Sequence, residues 1–130
     1  MSAAPQEGRL VILVEDARDC SAALEVALVS AGAFTVRTCG SAEEALELLR
    51  SGQASAVVTD IHLPGINGLA LIQELRAQLP ASRLKIVAVS GDGDPALKHQ
   101  ALSAGAHAFF QKPYSPREVC RVLEELIDED

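Results

Sequence analysis

Five short apolar runs, each followed by a stretch of helical period, constrain this chain more than any other feature. They fall at residues 10–14, 34–38, 56–59, 84–89 and 108–111. The first reads Leu-Val-Ile-Leu-Val and the third Ala-Val-Val-Thr. These two are apolar almost throughout, so they are expected to be buried strands, the first on both faces. Arg37 in the second run puts that strand near an edge. Strand and helix alternating with short connections imply a parallel sheet covered by helices on both faces. In that arrangement the carboxyl ends of the strands carry the site, where strand order reverses. No composition shift, repeat or low-complexity tract divides the 130 residues. The reading is therefore one α/β domain over 9–130, with a small, polar tail at 1–8.

The helical segments carry their own start and stop signals. The first spans 18–31, with an inner stripe of Cys20, Leu24, Ala27, Leu28 and Ala31, and Gly32 as its C-cap. Ser41 and Glu44 form a capping box for the second, which runs to about residue 50, stops near Gly52 and buries Ala45, Leu46 and Leu49. Asn67 caps the third, which reaches residue 79 and buries Leu69, Ile72, Leu75 and Leu79. Asp94 caps the fourth, with Pro95 at its first position and Gly105 at its end. Its stripe of Leu97, Ala101 and Ala104 is thin, so it is expected to be the least firmly packed helix. Ser115 and Glu118 box the last helix, which buries Val119, Val122, Leu123, Leu126 and Ile127.

Composition narrows the function. The net charge of -7 argues against a direct nucleic-acid partner and against anionic membrane surfaces. No apolar run approaches a membrane span, and no signal-peptide pattern opens the chain. Three widely spaced cysteines without a CxxC fit a reduced, cytoplasmic protein in which they act as small buried hydrophobes. Aromatic residues are 3% and Trp is absent, so few surfaces exist for stacking bases or sugars.

Four of the five strand ends carry polar groups that packing does not explain: Glu15-Asp16, Asp60, Ser90 and Lys112. In a parallel sheet all of them reach one rim. A carboxylate at the end of a buried strand is poorly solvated unless a cation or a reaction needs it. Asp60, followed at once by the Pro64-Gly65 break, is read as a nucleophile that accepts a phosphoryl group. Three carboxylates close together repel and call for a divalent cation. Oxygen ligands without a His or Cys cluster favour a hard ion, and Mg²⁺ is the cellular default. Lys112 supplies a point charge and Ser90 a hydroxyl for the other phosphoryl oxygens.

This ordered set resembles the receiver domains of response regulators, the CheY-like family of two-component signalling. The resemblance covers residues 9–128 and rests on Glu15-Asp16, on Asp60 with Leu63-Pro64-Gly65 and Gly68, on Ser90-Gly91, and on Gly105-Ala106 before Phe109 and Lys112-Pro113. It implies a flavodoxin-like (βα)5 fold with sheet order 2-1-3-4-5. It implies that Asp60 takes its phosphoryl group from a phosphohistidine on a histidine kinase or phosphotransfer protein. Asp16 and Asp60 would bind Mg²⁺ directly, Glu15 through water, and His62 by its main-chain carbonyl. Ser90 and Phe109 would form a switch pair, and Pro113 would follow a cis bond. Phosphorylation would alter the face of the fourth helix, fifth strand and last helix, and so change affinity for a downstream protein or output domain. The chain would be a stand-alone regulator or the receiver of a larger protein such as a hybrid kinase. Its only catalysis would be on its own aspartate.

Three positions depart from the family pattern. His62 stands two residues after the acceptor, where a side chain can influence attack by water on the phosphoryl group. Gly91 replaces the usual Ala, and Phe109 the common Tyr. Asp92 and Asp94 are read as turn and cap residues, and His99 and His107 carry no legible signal. On the first helix Ala22, Val26 and Val29 form an outward apolar strip, expected to contact the phosphodonor. Two rivals make different demands. A phosphatase with an Asp nucleophile would want a second Asp where His62 stands. A pseudo-receiver that only binds would have lost an acid or Lys112, and none is lost.

Overall fold

The computed structural model describes residues 9–15, 18–31, 34–63, 65, 67–78 and 83–128, with only the backbone given for 18–21. Its elements alternate throughout: β1 (Leu10–Val14), α1 (Arg18–Ser30), β2 (Thr35–Cys39), α2 (Ala42–Leu49), β3 (Ala54–Asp60), α3 (Gly68–Gln78), β4 (Lys85–Ser90), α4 (Pro95–Ala104), β5 (Ala108–Gln111) and α5 (Pro116–Asp128). The five strands are parallel and lie in the order β2-β1-β3-β4-β5. This is the expected doubly wound fold, with its reversal of strand order between β1 and β3.

Strand alternation divides the core in two. Ile12, Val14, Val57, Ile86 and Ala88 face α2, α3 and α4, where they meet Leu46, Leu49, Leu71, Ile72, Leu75 and Ala101. Val11, Leu13, Ala56, Val58, Val87 and Val89 face α1 and α5, meeting Leu24, Leu28, Val119, Cys120 and Leu123. The period of two in the strands thus supplies both layers, which is why the central residues of β1, β3 and β4 are apolar on both faces. Cys39 and Cys120 are buried as free thiols, and burial pushes the Cys39 thiol up to about 11. Cys20 lies outside the described side chains.

The helix signals act as read, with local changes. Ser41 Oγ accepts the Glu44 N–H at 3.2 Å, but the Glu44 carboxylate reaches back to the Gly40 N–H at 3.3 Å rather than to the cap residue. Asn67 Oδ1 accepts from Ala70 N at 2.9 Å, Asp94 Oδ1 from Ala96 N at 2.9 Å and Ser115 Oγ from Glu118 N at 3.3 Å. The α2 helix ends at Arg50 as C-cap, ahead of Gly52. Ala31 is exposed rather than buried, because α1 ends at Ser30 and the stripe ends with it. In α3 the deeply buried residues are Gly68, Leu71, Ile72 and Leu75, and Leu69 is half-buried. Gly32 and Leu79 lie outside the described residues, as does the tail at 1–8. In α4 only Ala101 is fully buried, as the thin stripe implied. No described helix is long and apolar enough to cross a membrane.

Candidate functional site

Three polar or charged residues are buried among the described ones: Thr59, Asp60 and Ser90, at 0%, 5% and 0% exposure. All three stand at the carboxyl ends of β3 and β4. The parallel register places them. Val14 pairs with Thr59, so Glu15 is level with Asp60; Asp60 pairs with Val89, so Ser90 stands one residue beyond; and Ser90 pairs with Gln111, so Lys112 stands one further. The ladder continues past the strands through Ile61 N to Val89 O at 2.9 Å and Lys112 N to Ser90 O at 2.8 Å. Sheet geometry alone therefore draws residues 97 positions apart into one cluster.

Among the described residues the cluster is held by one cation. Lys112 Nζ donates to Asp60 Oδ2 at 2.6 Å and to Glu15 Oε1 at 2.8 Å, with all three side chains at least four-fifths buried. Charge-assisted hydrogen bonds of this length offset the removal of both carboxylates from water. Asp60 Oδ1 accepts the His62 N–H at 2.8 Å, so both carboxylate oxygens are engaged. Burial pushes the Glu15 carboxyl up despite the hydrogen bond from Lys112. Burial pulls the Lys112 ammonium down, but its bonds to Asp60 and Glu15 outweigh this and hold it well above its usual range.

Around this centre the loops close two further contacts. Ser90 Oγ accepts the Asp92 N–H at 3.0 Å, and Asp92 Oδ1 accepts the Asp94 N–H at 2.9 Å. Asp92 and Asp94 are thus the turn and cap residues of the loop into α4. The exposed His62 ring brings Nε2 to 3.7 Å from Asp92 Oδ2 and so faces the loop that follows Ser90. Phe109 is half-buried against the α2–α3–α4 layer, whereas Phe110 joins the opposite layer, 6.4 Å from the Tyr114 ring. The Lys112-Pro113 peptide bond is cis.

Glu15, Asp60, Ser90 and Lys112 are thus brought together; Asp16 lies outside the described residues. Among the described residues no group of three or more His, Cys, Asp or Glu side chains could hold a metal. Glu15 and Asp60 nonetheless fit a hard cation: both are buried oxygen donors whose charge a single ammonium shares. The α3 helix abuts them closely. A Cβ on Gly68 would overlap the Asp60 carbonyl oxygen, and Gly68 N donates to Ile61 O at 2.8 Å. Only glycine lets the helix start so near the acceptor.

The family model for the response regulator receiver domain matches residues 11–124. The chain belongs to that family. Its sequence is 41% identical over 115 residues to the C4-dicarboxylate transport transcriptional regulatory protein DctD of Rhizobium meliloti, covering 88% of this chain and 24% of that protein. It is 29% identical over 120 residues to the transcriptional regulatory protein GltR of Pseudomonas aeruginosa, covering 92% of this chain and 49% of that one. The receiver thus spans a quarter to a half of these relatives. Among solved structures, a response regulator from Chloroflexus aurantiacus superposes with a TM-score of 0.84 at 30% identity, over 92% of this chain and 98% of the other. The receiver domain of NarL from Mycobacterium tuberculosis gives 0.86 at 21% identity, over 97% and 100%, and shares the fold. Receiver domains are phosphorylation-dependent signalling modules of two-component systems, generally bind Mg²⁺ at the phosphorylation site, and act with histidine kinases and output domains.

Sequence reasoning missed Arg76 and His107, which join α3 to the end of α4. A lone Arg in a last helical turn reads as a solvated dipole partner, and nothing local marked it otherwise.

Proposed function

We propose that this receiver accepts a phosphoryl group on Asp60 from a phosphohistidine donor and acts as a cytoplasmic switch, with no catalysis beyond its own aspartate. The supporting observation is a buried carboxylate at the end of β3 whose Oδ2 lies 2.6 Å from Lys112 Nζ, with Glu15 on the same ammonium. A carboxylate oxygen of Asp60 attacks phosphorus and a P–O bond forms. The P–N bond to the donor breaks, and the leaving imidazole keeps the electron pair and takes up a proton. Glu15, Asp16, Asp60 and the His62 carbonyl would hold Mg²⁺, which neutralises phosphoryl oxygens when bound. Lys112, already inside the site, meets a second oxygen with its ammonium. Ser90 exchanges the Asp92 N–H for a third, donating its hydroxyl, and Phe109 turns inward behind it. The output is the α4–β5–α5 face, read by a downstream protein or output domain through a two-state equilibrium. Neither nucleic acid nor a membrane is a direct partner, given the net charge of -7. The proposed domain is 9–130, preceded by a tail.

Intact mass after incubation with acetyl phosphate and Mg²⁺ tests this reading. A labile phosphate adduct is expected in wild type and not in Asp60→Asn. No adduct in wild type would favour a pseudo-receiver, and steady phosphate release from many esters an Asp-nucleophile phosphatase.

A further inference from the structure

The α4 helix is anchored unevenly. Its N-terminal part is exposed at Pro95, Ala96, Lys98, His99 and Gln100, and Leu97 is half-buried. Its C-terminal end is held by a side chain from another helix. Arg76, in the last turn of α3, donates to Gly105 O from Nε at 3.1 Å and from Nη2 at 2.8 Å. The fork also lies 3.2 Å from the His107 ring at Nδ1, and that nitrogen accepts the Ile86 N–H of β4 at 3.1 Å. Gly105 has φ +125, and a Cβ there would meet Arg76 Nε at 2.8 Å. Glycine thus serves two needs at once, the positive φ of the cap and the close approach of the guanidinium. A planar fork with both hydrogen bonds on one carbonyl fixes position more tightly than an ammonium could.

The opposite end of α4 follows directly from the site. Four residues, 91–94, separate Ser90 from Pro95, and all of them are exposed. Their ties to the site include the Asp92 N–H on Ser90 Oγ and the His62–Asp92 approach. A rotation of the Ser90 side chain that carries Oγ away from the Asp92 N–H breaks the first of these.

We propose that Arg76 is the pivot of the switch: it pins the C-terminal end of α4 through Gly105, so that release of Ser90 tilts the helix about that point and moves mainly its N-terminal half. The tilt changes the width of the groove between α3 and α4, lined by Leu69, Gln73, His99, Gln100, Ser103 and Ala104. Arg76 is a positioning residue and touches no phosphoryl oxygen. The swing, though not the anchoring, rests on Asp60 being the phosphoacceptor.

Hydrogen exchange read by mass spectrometry tests both parts, on protein with and without acetyl phosphate and Mg²⁺ and with adduct yield measured on the same samples. In unmodified wild type, amides of 101–107 are expected to exchange at least ten-fold more slowly than those of 96–100. Phosphorylation is expected to change exchange at 96–100 and leave 101–107 unchanged. In Arg76→Ala the gradient along α4 is expected to vanish while adduct yield stays at the wild-type level, and Arg76→Lys is expected to fall between. Gly105→Ala, which keeps the guanidinium but displaces it, is expected to reproduce Arg76→Ala and serves should that variant not fold. Equal exchange along α4 in wild type, or an unaltered gradient in both variants, would overturn the pivot. Lack of any adduct would overturn the phosphoacceptor reading and the swing with it, while the gradient in unmodified protein still decides the anchoring.

Discussion

At the scale of single residues, the site is an exchange of charge partners. Asp60 and Glu15 leave water with the Lys112 ammonium between them. Removing the ammonium leaves two buried carboxylates facing each other, and breaking a buried pair from one side costs about 3–5 kcal/mol. Lys112→Met is therefore expected to lower stability by roughly 3 kcal/mol at neutral pH, read from the shift in urea midpoint. The loss should shrink toward acid pH, where one carboxyl takes up a proton in the folded state, and Mg²⁺ should restore part of it at neutral pH. Insensitivity to both would mean that the carboxylates are satisfied by something other than Lys112. Residue types at this rim were legible in the sequence because apolar strands ended in groups that packing could not use. Which carboxylate oxygen meets which partner was not, since that depends on the stagger between β3, β4 and β5.

At the scale of elements, the start of α3 lies hard against the backbone at the end of β3. Gly68 N bonds Ile61 O, and any Cβ at 68 would overlap the Asp60 carbonyl. The obstacle is backbone, so no rotamer relieves it. Gly68→Ala is expected to destabilise by about 2 kcal/mol, as overpacking typically does, and to slow adduct formation because the acceptor's own backbone must move. Thermal denaturation and the rate of mass increase with acetyl phosphate check the two halves; wild-type values in both would mean that α3 can start elsewhere. The element boundaries were readable from caps because Ser41, Asn67, Asp94 and Ser115 act within a few residues of themselves. The exposed Ala31 was not, because a helical stripe has no signal for the residue at which it ceases to face the sheet.

At the scale of the whole molecule, an apolar strip on α1 lies uncovered among the described residues. Val26 and Val29 of α1 are 63% and 53% exposed, with Ala22 and Ala23 exposed beside them. The core on the other side of α1 is complete through Leu24 and Leu28. We propose that the phosphodonor contacts this strip. Val26→Glu is expected to slow transfer from the cognate phosphodonor at least ten-fold while leaving phosphorylation by acetyl phosphate unchanged. Equal rates from the protein donor would remove the strip from the docking face.

Local residue patterns specify the elements, their order and the residue types at the rim. Periodicity, caps and strand-end groups are local, and alternation of strand and helix permits few topologies. The folded arrangement of sheet and helices joins the distant parts. It set Lys112 between two carboxylates and closed the Asp92 N–H on Ser90. It also brought Arg76 onto Gly105 and His107, 29 and 31 residues away. Those contacts depend on strand stagger and on how two helices lie against one sheet, and neither is written in any local run of residues.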